Sequence, residues 1–164
     1  MKAKVFFTVI AVVAVVLGLS SCDGDKTTIT RNDLSFTAVN LIDGEKKLSA
    51  TTGAGSIVTV NWTVDISVNG ETTTFSGTKR SNELPVRPGD EIELTFQPSC
   101  PEETEVFFTL PDGTMLKATA STPSVKWTIP SNFTSGMEIK GESRYETEDY
   151  FYITSGKIIL IALE

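Results

Sequence analysis

Between residues 58 and 68, apolar and polar side chains alternate without a break. Val58, Val60, Trp62, Val64, Ile66 and Val68 are separated by Thr59, Asn61, Thr63, Asp65 and Ser67. A period of two sorts these residues onto the two faces of an extended strand, one apolar and one polar. Asn69-Gly70 follows, a pair that tolerates positive φ and so suits the two-residue type I′ turn of a hairpin. Residues 71–77 are therefore expected to fold back in antiparallel pairing. Such a turn fixes the register: Val68 opposite Glu71, Ile66 opposite Thr73, Val64 opposite Phe75. Phe75 then shares the inner face with Trp62 and Val64.

No window after residue 33 carries a run at helical spacing, and the alternation recurs. Residues 34–42 read as a strand of mixed pattern, and Gly53 to Gly55 as a turn. The prolines and glycine of Leu84-Pro85-Val86-Arg87-Pro88-Gly89-Asp90 read as a loop. Ile92, Leu94 and Phe96 point inward from residues 91–96. Residues 105–110 and 114–119 flank Pro111-Asp112-Gly113 as a second hairpin. Val125, Trp127 and Ile129 alternate before Pro130, and residues 137–143 and 157–163 are further strands. About nine short strands separated by turn residues specify an all-β fold, a two-sheet sandwich or a small barrel.

Residues 1–21 stand apart. Lys2 and Lys4 precede an apolar run from Val5 to Leu19, and small residues then meet Cys22 before the composition turns polar. The run is shorter than a membrane span, and the pattern is that of a signal peptide. Leu19-Ser20-Ser21-Cys22 resembles the lipobox of bacterial lipoproteins. That resemblance implies cleavage before Cys22, a diacylglyceryl thioether on its sulfur and, in a two-membrane bacterium, an acylated amine. Two or three acyl chains make a stable anchor where one does not. Asp23-Gly24-Asp25 resembles the acidic tract that Bacteroidetes lipoproteins use for display on the outer face of the outer membrane. The enterobacterial rule, in which an aspartate after the cysteine favours inner-membrane retention, is the alternative. The expected organisation is a signal peptide at 1–21, a lipidated flexible tether at 22–33 and a β-sandwich domain at 34–164.

Charge and composition narrow the chemistry. The chain of 164 residues contains no histidine, which excludes Ser-His-Asp and Cys-His nucleophile systems and imidazole-based zinc or iron sites. Taking the two signal-peptide lysines from 14 basic residues leaves 12 against 21 acids, a net charge of −9. Such a surface disfavours nucleic acid. With Cys22 lipidated, Cys100 is unpaired. Its neighbours Pro101-Glu102-Glu103 supply no positive charge to stabilise a thiolate.

Residues 86–163 resemble an immunoglobulin-like domain of the kind repeated in Bacteroidetes cell-surface proteins. The matching stretches are residues 86–94, residues 108–114, Trp127-Thr128-Ile129-Pro130 and Ser155-Gly156-Lys157-Ile158. They mark turns and core positions and carry no chemistry. The resemblance implies a Greek-key sandwich with a role in binding or spacing. A pair of core cysteines is missing, and the first 50 residues of the mature chain match no part of the pattern.

Several groups are candidates for a site. Trp62 and Trp127 lie on apolar faces and are expected in the core. Tyr145, Tyr150, Phe151 and Tyr152 gather among Glu146, Glu148 and Asp149. They form either a face on which sugar rings stack or a cap over the end of the core. Asp90, Glu91 and Glu93, and Glu102, Glu103 and Glu105, are acidic clusters without a calcium-loop pattern. No two carboxylates are singled out as a pair facing across a cleft, as a glycosidase needs. Asn61-Trp62-Thr63 and Asn132-Phe133-Thr134 fit the glycosylation sequon by coincidence. Ile158 to Leu163 is apolar on both faces, which suits a strand buried on both sides or one that pairs with another chain. The sequence thus points to a non-catalytic envelope lipoprotein without a cofactor. The membrane holds it through Cys22, and Tyr145, Tyr150 and Tyr152 are the candidate contacts for a glycan or an envelope protein. A fimbria-like subunit assembled through its C-terminal strand is the alternative.

Overall fold

The computed structural model describes residues 26–31, 34–42, 45–52, 57–96 and 105–164. The signal segment, Cys22, Cys100 and the turn at 53–55 lie outside the described residues. Twelve strands are present among those described: β1 (Thr27–Arg31), β2 (Phe36–Ile42), β3 (Glu45–Thr52), β4 (Thr59–Val68), β5 (Glu71–Arg80), β6 (Glu83–Val86), β7 (Glu91–Phe96), β8 (Glu105–Thr109), β9 (Met115–Thr119), β10 (Ser124–Thr128), β11 (Glu138–Glu146) and β12 (Tyr150–Ala162).

They form a sandwich with an added ribbon. One sheet runs β9-β8-β11-β12, and the far edge of β12 is shared by two parallel strands, β1 along its first half and β6 along its last. The second sheet runs β10-β7-β2-β3, antiparallel throughout. The chain changes sheet between β7 and β8, between β9 and β10 and between β10 and β11. This is the crossing pattern of an immunoglobulin-like Greek key. The sheets meet through fully buried side chains, among them Phe36, Ile92, Leu94 and Phe96 from one and Val106, Phe108, Ile139, Ile158 and Leu160 from the other. Phe36 and Phe108 touch edge to face, with ring centres 5.0 Å apart.

A glycine pair makes room for that contact. Gly141 and Gly156 face each other across β11 and β12. A Cβ on Gly141 would lie 2.7 Å from Cε1 of Phe36, and one on Gly156 2.9 Å from the carbonyl oxygen of Leu34. The recess is thus filled by the start of the β2 segment.

The hairpin has the expected register: Val68 faces Glu71, Ile66 faces Thr73 and Val64 faces Phe75, with Asn69 and Gly70 at φ 53° and 85°. Val64 and Ile66 are buried, while Trp62 and Phe75 pack partly buried against the core. The Trp62 indole lies over the opposing Gly77, about 3.0 Å from where a Cβ would stand, the arrangement in which an aromatic ring shields a strand glycine.

Three strands depart from the sequence reading. Residues 27–31, expected in a tether, form β1 beside β12, so the fold begins inside the segment assigned to 22–33. β3 was not expected at all. β6 occupies part of the segment read as a loop. Leu84 and Val86 in it are fully buried, and Pro85 is tolerated because β6 is an edge strand, with one side that needs no N–H donor. The turn itself starts later, at Arg87. Asp90 N–H donates to Arg87 O at 3.1 Å, and Gly89 has φ 89°, the geometry of a type II turn with Pro88 in second place.

β12 begins seven residues before the expected strand and lies inside its sheet. β11 pairs with residues 151–159 on one side, while β1 and β6 pair with residues 150–154 and 159–162 on the other. In its apolar run Ile158 and Leu160 are buried on one face, while Ile159 and Ile161 are half-buried on the other. The strand proposed to pair with another chain already has its partners within its own sheet.

Candidate functional site

The tyrosine cluster sits at the turn joining β11 to β12. Tyr145 and Tyr152 are directly opposite each other in the ladder. Because the pleat repeats every two residues, Tyr150 shares their face and Phe151 points to the other. Phe151 therefore leaves the group to which the sequence assigned it. The Tyr145 and Tyr152 rings are stacked with centroids 6.2 Å apart, and Tyr150 lies 5.9 Å from Tyr152 at a tilt. Tyr150 is exposed and the other two are half-buried. Their face is the core-facing one, continuous with Ile139, Gly141 and Ser143 along β11. The rings thus extend the inner surface past the last of its buried residues.

The turn is held by local hydrogen bonds. Thr147 N–H donates to Tyr150 O at 2.8 Å, and Tyr150 N–H donates to Thr147 Oγ1 at 3.0 Å. Glu148 and Asp149 at its tip are exposed. Lys26, just before β1, forms an ion pair with Glu146. Among the described residues, none of the three tyrosine hydroxyls has a hydrogen-bond partner.

The acidic clusters separate by the same pleat. Glu91 receives a hydrogen bond from Lys126 of β10 at 2.7 Å, and that carboxylate raises the lysine pKa. Glu105 pairs with Lys117, Glu138 with Lys157 and Glu142 with Arg144. Asp90 turns inward: its Oδ2 accepts from Arg87 N–H at 2.8 Å and from Asn40 Nδ2 at 2.9 Å. Asn40, fully buried on β2, also donates to Pro85 O at 2.9 Å. A buried amide and a carboxylate thereby pin the β6–β7 turn to the second sheet. Among the described residues no three potential metal ligands converge.

Sequence reasoning missed a cleft between this turn and the hairpin tip. Ile66, Val68, Phe75, Glu71 and Arg87 line a space of about 360 Å³. The Arg87 guanidinium lies 5.7 Å from the centre of the Phe75 ring. Part of the signal was present, since the hairpin register was legible and residues 84–90 read as a loop, but nothing local placed the two side by side. Trp62 and Trp127 pack against the core as expected.

No family model matches the chain, and no curated protein matches it. Among solved structures, the BSP domain of a biofilm associated protein is similar at 14% identity with a TM-score of 0.29. The alignment covers 84% of this chain and 29% of that one.

Proposed function

We propose that this chain is a non-catalytic binding module, held at the outer face of the outer membrane by lipid on Cys22, and that Tyr145, Tyr150 and Tyr152 form its glycan contact. The observation that carries the reading is the gathering of three rings on one face with unengaged hydroxyls beside two exposed acids. Aromatic faces stack on the C–H surfaces of sugars, while tyrosine hydroxyls and carboxylates exchange hydrogen bonds with sugar hydroxyls. The lipid anchor rests on the Leu19-Ser20-Ser21-Cys22 pattern. Metabolic labelling with palmitate should mark the wild type and leave Cys22→Ala unlabelled; equal labelling of both removes the anchor. On a broad glycan array the protein should bind, and Tyr150→Ala with Tyr152→Ala should abolish binding without lowering thermal stability. An array without a single hit refutes the glycan assignment.

A further inference from the structure

We propose that the cleft at the ribbon tip binds a free α-amino acid with an aliphatic side chain. Arg87 takes its carboxylate, Glu71 its ammonium, and Ile66 and Val68 its side chain. The site is separate from the tyrosine face. Arg87 follows β6, which pairs with the opposite end of β12 from Tyr150 and Tyr152.

The hairpin builds one wall of the cleft. Val68 and Glu71, Ile66 and Thr73, and Val64 and Phe75 are opposed pairs of the ladder, so all six project from one face. Val64 and Ile66 on that face are buried in the core. Beyond them the ribbon outruns the sandwich, and Val68, still on the inner face, is 59% exposed. The β6–β7 turn supplies Arg87 to the same space.

Arg87 is held there with its donors unused. Its backbone N–H is bonded to Asp90 Oδ2, and its guanidinium lies over the Phe75 ring. Nε is buried without a hydrogen-bond partner. Asp90 Oδ1, at 3.9 Å, is too far to serve as one. The two Nη groups carry four further N–H donors, and among the described residues no hydrogen bond reaches them. Glu71 is exposed, and its carboxylate makes no hydrogen bond or ion pair among the described residues. A cation and an anion thus line one cleft without joining in an ion pair.

That arrangement selects the ligand. A simple anion suits Arg87 but is repelled by Glu71, and a simple cation meets the reverse. A neutral apolar guest strips water from both charges and gives neither a partner. A zwitterion satisfies the two together. In an α-amino acid the carboxylate, the ammonium and the side chain all leave one carbon, so one compact molecule reaches a cation, an anion and an apolar wall. Its carboxylate matches the planar fork of the guanidinium. The space of about 360 Å³ is at the small end of ligand sites, which run from about 300 to 1,000 Å³. It suits a single amino acid and is small for an oligosaccharide.

Calorimetric titration of the full chain with leucine, leucine amide, N-acetylleucine and glycine tests this. Leucine should bind, and each of the other three, lacking one of the three contacts, should bind roughly tenfold more weakly or worse. Glu71→Gln should bring leucine down to the level of N-acetylleucine while leaving N-acetylleucine binding no weaker. Arg87→Met should bring leucine down to the level of the amide while leaving the amide no weaker. A general structural defect would weaken all four ligands alike. No binding of leucine to the wild type overturns the proposal, as does equal binding of leucine, its amide and N-acetylleucine. If Arg87→Met fails to fold, the exposed Glu71→Gln decides: an unchanged preference for leucine over N-acetylleucine overturns the assignment.

Discussion

Replacing Gly141 by alanine tests how the two sheets are fitted together. The new Cβ would stand 2.7 Å from Cε1 of Phe36, 3.0 Å from Cδ1 and 3.1 Å from Cδ2 of Leu34. Carbon atoms in contact prefer about 3.5–4.0 Å, so the Phe36 ring must retreat by nearly an ångström. It has little space to do so: it is fully buried and its edge meets Phe108. Overpacking of this kind costs about 1–3 kcal/mol. Alanine recovers about 0.5–1 kcal/mol over glycine within a strand, which leaves a net loss of about 1–2 kcal/mol. For a sandwich of this size that lowers Tm by roughly 3–10 °C. Urea unfolding of Gly141→Ala, Phe36→Leu and the double variant measures the coupling. Shortening Phe36 opens the space that the methyl needs, so the double variant should be more stable than the sum of the singles by at least about 0.5 kcal/mol. A stabilised Gly141→Ala, or strict additivity, would refute the fitted recess.

Three more outcomes follow from residues already described. Asn40→Ala removes buried hydrogen bonds to Pro85 O and Asp90 Oδ2 and should cost about 2–3 kcal/mol in urea unfolding, through partners left unsatisfied. Lys79 is buried with its Nζ on Ser49 O at 2.7 Å, and desolvation lowers its pKa below 10.5 despite the nearby Glu83. The unfolded chain then holds that proton more tightly, so wild-type stability should rise with pH through the window below 10.5 and level off above it. Lys79→Met should be more stable than wild type at neutral pH, with a gap that narrows as the medium becomes alkaline. Gly70→Ala places a side chain at φ 85° and should speed amide exchange across β4 and β5 by several-fold, from a loss of about 1 kcal/mol in the ribbon.

What the sequence revealed depended on whether a segment carried its own pattern. The hairpin was legible to the residue because alternation and Asn69-Gly70 are both local. β3, by contrast, offers only Leu48 and Ala50 as buried apolar residues among Glu45, Lys46, Lys47 and Ser49, and becomes a strand because β2 lies beside it. β1 and β6 are parallel partners of a strand more than seventy residues away, and no turn announces them. Pro85 disguised β6 further, because proline argues against a strand unless the edge position is known. At the candidate site the residues were found but not their facing: the pleat keeps Tyr145, Tyr150 and Tyr152 together and sends Phe151 away. The cleft at Arg87 arises from two turns meeting in space, a relation no local pattern encodes.

The parallel pairing of β1 also orients the molecule. Thr27 lies beside Tyr150, and Cys22 is five residues earlier, a reach of about 17 Å at most. Were Cys22 to carry the proposed lipid, the tyrosine end of the sandwich would stand over the headgroups like the foot of a post. β12 then rises about 40 Å from Tyr150 to Ala162, and the ribbon tip beside Arg87 is carried at that upper end. The two surfaces would answer to different neighbourhoods. The tyrosines would meet sugars of the cell's own envelope close to the bilayer, whereas the ribbon tip would face whatever lies farther out.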